Sequence, residues 1–240
     1  MSFKKFLFLI FIILLVSCSI IEKGEYNTGY YIFSVLKVGD DRIRVIVDST
    51  LSIKDSLNTE NNFVIDADVK INGTAAYLET LNSDSFGYKY VYVLDENVLP
   101  ENNYEIEVKV DDKIFTAKTS TPKNLNFLVY SDSAQIKIDS SLILIWNSSG
   151  IGFYMVQINQ KNEYGSFFLF QTGVENDTFL PIFNLSYLFP DTGTYDFFVI
   201  SCDSSYFKYM TDEKFSSFEN GYGLFGSVSV GVLKDVKLFK

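Results

Sequence analysis

The chain has 240 residues, with 20 basic side chains against 30 acidic ones and no histidine. Without imidazole there is no Ser-His-Asp or Cys-His catalytic pair, no histidine metal ligand and no histidine pH switch. The acidic excess repels nucleic acid and anionic membrane surfaces. The 16 Tyr and 23 Phe, together with many β-branched residues, are the composition of strands.

Lys4 and Lys5 form a positive flank, Phe6 to Val16 is an unbroken apolar run, and Leu15-Val16-Ser17-Cys18 closes it. The run is too short to span a bilayer, which takes about 20 apolar residues, and its order of charge, apolar core and small residue is that of a signal peptide. The last four positions resemble the lipobox of bacterial lipoproteins, whose signal peptidase cuts before the cysteine once its thiol is lipidated. The resemblance implies cleavage between Ser17 and Cys18, loss of residues 1–17 and a lipid anchor on Cys18. Two or three acyl chains hold stably, since each buried methylene contributes about 0.8 kcal/mol. Ser19 replaces the Asp that retains enterobacterial lipoproteins at the inner membrane, which points to the outer membrane. Losing Lys4 and Lys5 leaves 18 basic against 30 acidic residues, a net −12.

Residues 18–29 form the anchor and a short tether, and short β runs separated by polar turns follow. Ile43, Val45 and Val47 alternate along 42–47. The run 64–71 ends at Asn72-Gly73, a hairpin signal. Strands are expected at 88–93, at 104–110 with strict period two, and at 114–119 after an Asp111-Asp112-Lys113 turn. No stretch of the mature chain shows a helical period. Strands at this spacing mean an all-β sandwich or barrel.

A repeat sets the domain count. Leu99-Pro100, a polar turn and Tyr104 precede an alternating strand, and Leu188, Pro190, a polar turn and Tyr195 precede another. Both resemble the tyrosine corner of immunoglobulin-like and fibronectin type III sandwiches. In the second half, 141–146 and 152–158 resemble strands B and C of a fibronectin type III domain, with Trp146 in the place of its core tryptophan. The expected architecture is two tandem sandwiches, an Ig-like one over 30–121 and a fibronectin type III-like one over 122–240, joined near Thr121-Pro122-Lys123.

Candidate sites are few. Once Cys18 is lipidated only Cys202 remains, within the apolar run 197–202, where a buried strand thiol is expected. The Asp-rich stretches 39–41, 54–62 and 202–205 offer oxygen ligands but lack the spacing of a calcium loop, so neither a metal nor a cofactor is expected. No motif singles out a carboxylate pair for glycoside chemistry. The segment 206–226 departs from the strand–turn rhythm and concentrates rings. Its Tyr206, Phe207, Tyr209, Phe218, Tyr222 and Phe225 are the candidate binding residues, with packing over the open end of the second sandwich as the alternative. Gly221, Gly223 and Gly226 imply tight backbone geometry just before a final strand at 227–232.

The lipobox, the run Asp66-Ala67-Asp68-Val69-Lys70-Ile71-Asn72-Gly73, the strand Tyr104 to Val108, the segment Thr116 to Pro122 and the Gly-rich stretch 219–227 together resemble a group of Gram-negative outer-membrane lipoproteins built on a domain of unknown function. That resemblance implies an accessory role beside an outer-membrane transporter, and it carries over no functional residues. The expected function is a lipid-anchored, non-enzymatic binding or accessory module of the cell envelope. It would meet a transporter, another envelope protein or an extracellular ligand, and no nucleic acid. A structural spacer is the alternative, and a carboxylate-dependent glycan hydrolase a more distant one.

Overall fold

The computed structural model describes residues 29–50, 62–81, 89–137, 141–151, 153–175, 177–182, 189 and 192–239. Ser17, Cys18, the signal peptide and most of the Asp-rich segment 54–62 lie outside the described residues. The strands are β1 Tyr30–Lys37, β2 Ile43–Ser49, β3 Asp68–Ile71, β4 Thr74–Ala75, β5 Tyr77–Thr80, β6 Tyr90–Leu94, β7 Asn103–Val110 and β8 Lys113–Ser120. They continue with β9 Gln135–Lys137, β10 Leu142–Ile145, β11 Phe153–Asn162, β12 Gly165–Glu175, β13 Phe179–Ile182, β14 Gly193–Cys202 and β15 Tyr222–Phe239. One helix, α1, spans Ser204–Thr211. The fold is all-β, as the sequence leads one to expect.

A nine-stranded sheet runs in the order β12-β11-β14-β15-β1-β2-β6-β5, with β9 also pairing to β15. Smaller sheets, β4-β3-β7-β8 and β10-β13, accompany it. Two separate hydrophobic cores result. In the first, Ile32, Val45, Ile106, Val108 and their neighbours meet between β1, β2 and β6 on one side and β3, β7 and β8 on the other. β7 shows why: Tyr104, Ile106, Val108 and Val110 are buried and the residues between them exposed, the period of a half-buried strand. Asn72 and Gly73 both take positive φ, the geometry of the tight β3–β4 hairpin. The Tyr104 hydroxyl accepts from the Leu99 N–H at 2.8 Å and donates to the Asn97 carbonyl at 3.4 Å, which is the expected corner. In the second core Trp146 is 1% exposed and tilted on Tyr154 at 5.5 Å. Tyr195 lies buried against Phe189, while residues 188, 190 and 191 of its turn lie outside the described residues.

Three features differ from the sequence-based expectation. The final strand begins at Tyr222 and runs 18 residues to Phe239, not 227–232. Its first part pairs parallel with β1, from Tyr31↔Tyr222 to Lys37↔Val228, and its remainder antiparallel with β14. Phe225 and, just before the strand, Phe218 therefore belong to the first core although they follow 122 in sequence. The second difference is α1, where no helix is expected. Asp203 caps it by accepting from the Tyr206 N–H at 2.9 Å, and two turns are too short to show a periodic stripe. Third, the run 64–71 is strand only from Asp68, with an isolated bridge at Phe63.

The two cores meet at a buried polar knot. Asp203, 5% exposed, accepts from the Ser227 N–H at 3.1 Å and from the Thr119 hydroxyl at 2.7 Å. The Ser227 hydroxyl donates to the Ser120 carbonyl at 2.9 Å. Thr121, nominally in the joint, is buried and donates to the Leu99 carbonyl at 2.7 Å. Burying these groups is tolerable because each is hydrogen-bonded.

Candidate functional site

Alternation assigns the residues of the second sandwich to two faces. Along β11, Tyr154, Val156 and Ile158 enter the core, so Phe153 and Met155 stand on the outer face. Gly173 pairs with Met155 and Gln171 with Gln157, and directly opposed residues share a face. The last residue of β14, Cys202, joins them by the same rule, because Tyr154 pairs with Ser201. This outer face would be flat were it not for α1.

The helix lies against β15, and glycine is what lets it come close. A Cβ on Gly226 would stand 3.1 Å from Tyr206 Cβ and 3.2 Å from Asp203 Oδ1. Leu224, fully buried yet outside both cores, is the sheet residue nearest that point, with its Cδ1 also 3.1 Å away. Seated there, α1 divides its aromatic residues. Tyr206, Phe207 and Met210 form one wall of a groove whose floor is Phe153, Met155 and Cys202 and whose far side is β12 at Gln171–Gly173. Tyr209 turns the other way. Its hydroxyl is 2.7 Å from that of Tyr31, and its ring lies 6.2 Å from Phe33 on the outer face of β1.

The groove encloses about 350 Å³, the lower end of what small ligands occupy. Phe153 and Phe207 are in ring contact, with centroids 3.6 Å apart. Gln171 Nε2 donates to Met155 Sδ. Met210 is 61% exposed at the rim. Burial pushes the Cys202 thiol up to about 11, and the neighbouring Asp203 charge adds to the effect. The thiol therefore stays protonated at neutral pH and is a poor nucleophile. Burial also raises the Tyr206 phenol. Such a groove offers apolar contact and few hydrogen-bonding groups.

The six sequence candidates thus part company. Tyr206 and Phe207 line the groove, and Tyr209 packs on β1. Phe218 is 3% and Phe225 0% exposed, which makes both core residues unavailable to a ligand in the folded chain. Tyr222 is 62% exposed and stands beside Gly29, where an added Cβ would come within 3.0 Å of its ring. Phe153, Met155, Gly173 and Met210 were not among the candidates. Only Gly173 carries a signal in the sequence, an indirect one, since it lies in an uncharged run from Gly165 to Val174 of an acidic chain. Among the described residues no three of Asp, Glu and Cys gather to hold a metal ion. Asp40 pairs with Lys37 at 3.4 Å, and Asp203 is the cap already described. Among the described residues no helix is long and apolar enough to cross a membrane.

No family model matches the chain, and no curated protein matches it. Several solved structures of Ig and fibronectin type III pairs are similar in outline. The IG1+IG2 pair of DIP-gamma covers 90% of this chain and 99% of its own, at 8% identity and a TM-score of 0.23. The fibronectin(III)-like modules of Clostridium thermocellum CbhA cover 88% and 95%, at 9% identity and 0.27. The titin domains z1z2 in complex with telethonin cover 89% and 98%, at 11% identity and 0.23.

Proposed function

We propose that this protein is a lipid-anchored binding module of the cell envelope, tied to the outer membrane through Cys18, with the groove beside α1 as its working surface. One observation carries the reading: a half-open apolar groove in which Phe153, Phe207 and Met210 remain accessible on an otherwise acidic protein. Solvent-exposed rings and thioethers grouped in a concavity are the usual chemistry of a protein contact. A glycan would ask for more hydrogen-bonding groups than Gln171, Thr172 and Thr211 supply. The partner is therefore a protein, and an outer-membrane transporter or another envelope protein meets the requirement.

Two measurements test this. Cys18→Ala should move the protein from the membrane to the soluble fraction, and tight membrane association of the variant would end the anchor reading. A photo-crosslinking phenylalanine derivative in place of Met210 should then capture an envelope protein in cells, while the same group at exposed Ile114 of the first sandwich should not. Absence of an adduct at 210, or equal adducts at both positions, would overturn the groove assignment.

A second reading, a rigid spacer, is favoured by the strand β15, which passes through both halves of the sheet. It predicts that Phe207→Ala and Met210→Ala leave every envelope phenotype unchanged.

A further inference from the structure

The groove is open on one side, and that side is the edge of the sheet. β12 pairs with β11 along its length and, among the described residues, with nothing on its other flank. Its outer row of backbone N–H and C=O groups is a template for another strand. Edges are ordinarily blunted by charge, proline or shortness. β12 has 11 residues and neither Pro nor any charged side chain from Gly165 to Val174, in a chain where 21% of residues are charged. A register shift opposite Ile158 and Asn159 leaves Leu169 as an extra residue, a bulge that kinks the first part of the edge. Beyond it, Phe170 to Glu175 stays in register with β11.

Gly173 sits in that regular part, on the outer face, opposite Met155. Its φ lies outside the left-handed region, and a Cβ there would meet nothing within 4 Å. Backbone geometry therefore does not require glycine at this position. What glycine does is leave the side of the groove open toward the free edge. A strand laid along β12 would bring a side chain directly across from Gly173, where a cross-strand ring or long apolar side chain covers a glycine well.

We propose that β12 is a strand-addition site: an extended segment of a partner polypeptide pairs along Phe170–Glu175 and passes one large apolar side chain over Gly173 into the groove. The proposal rests on the groove being the working surface and adds the mode of recognition. Charge defines the partner further. Exposed Asp177 stands two residues beyond the paired segment, so a basic residue about four positions from the apolar side chain complements it, whichever way the partner strand runs. A second copy of this chain is a poor occupant, since each mature copy carries a net −12.

The test uses the full mature chain and a labelled nonapeptide that alternates threonine and valine, with phenylalanine at its centre and lysine at each end. Fluorescence anisotropy should show saturable binding. It should weaken at least tenfold when the central phenylalanine is alanine, and be lost when alternate amides are N-methylated. Gly173→Val should weaken binding at least tenfold while leaving the thermal midpoint unchanged or higher, because valine suits a strand and finds open space there. Equal binding of the N-methylated peptide, still reduced by Met210→Ala, would overturn strand addition and leave the groove reading intact. No binding of any peptide would overturn the proposal, and the crosslink from position 210 would then judge the groove independently. Dimers of the chain that Gly173→Val abolishes would replace the partner strand by a second copy and overturn the assigned occupant.

Discussion

Asp203 is where a single side chain holds three parts of the molecule, and its removal has a calculable cost. In Asp203→Ala the Tyr206 N–H loses its cap acceptor, worth about 1 kcal/mol. The Ser227 N–H, fully buried in β15, loses its acceptor as well, and an orphaned buried donor costs about 1–3 kcal/mol. Thr119 is rescued, because its hydroxyl lies 3.1 Å from Ser227 Oγ and can donate there instead. The sum is about 2–4 kcal/mol, which in a chain of this size lowers the thermal midpoint by roughly 4–16 °C. Asp203→Asn is the control. Its amide oxygen keeps both backbone bonds and asparagine caps as well as aspartate, so only the charge-assisted part is lost, about 1 kcal/mol. Urea unfolding of the three proteins, followed by tryptophan fluorescence, gives the comparison. Equal losses for the two variants would refute the reasoning, because they would place the effect in the charge and not in the bonds. A loss below about 0.5 kcal/mol for the alanine variant would mean that α1 is not held by its cap.

Other predictions concern single positions. Gly223 has φ +124°, and a Cβ on it would lie 1.8 Å from the Ile32 carbonyl oxygen; Gly223→Ala should cost at least about 3 kcal/mol, and a folded variant of normal stability would disprove the β1–β15 register. In a Cys18→Ala background, Cys202 should react with iodoacetamide at pH 8 about a hundredfold more slowly than in urea, since its thiol sits near 11; comparable rates would show that burial does not protect it. Burial holds the Asp48 carboxyl above its ordinary range, only partly opposed by the Ser49 amide. The native state thus binds this proton more tightly than the unfolded chain, and its contribution is complete below about pH 4 and falls as pH rises through the raised value. Asp48→Asn should therefore be more stable than the parent at pH 7 and equal to it near pH 3, as read by denaturation at each pH, and the reverse order would refute the sign.

What the sequence made legible is what a strand imposes locally. The alternation of Tyr104 to Val110 and the Asn72-Gly73 turn each follow from neighbours a few residues apart, and the structure places them as expected. Trp146 reads as core because its size leaves it few other homes. What stayed illegible depends on distant partners. Phe218 and Phe225 look like loop aromatics until β1, 191 residues earlier in register (Tyr31 to Tyr222), takes Tyr222 to Val228 as its neighbour. The helix was hidden because Tyr206, three residues after the cap, is not the Glu or Gln of a capping box. β12 was hidden because the bulge at Leu169 breaks its alternation, so that Phe167, Phe168, Leu169 and Phe170 read as an apolar run. The groove itself joins Phe153, Gly173 and Met210, which no spacing rule connects.

The shared strand also dictates an order of events in time. The first core is drawn mostly from residues 30–117, yet it closes only when Phe218 and Phe225 arrive. A chain emerging from a ribosome or a translocon would present β1 long before β15 exists, and for that interval its flank has no neighbour. Domains normally fold in the order they are made; here the first half must wait for the second, and pairing across such a separation is slow. Expressing residues 30–121 alone should accordingly yield an incomplete sandwich that associates through β1, and late supply of the missing strand as a separate peptide should complete it.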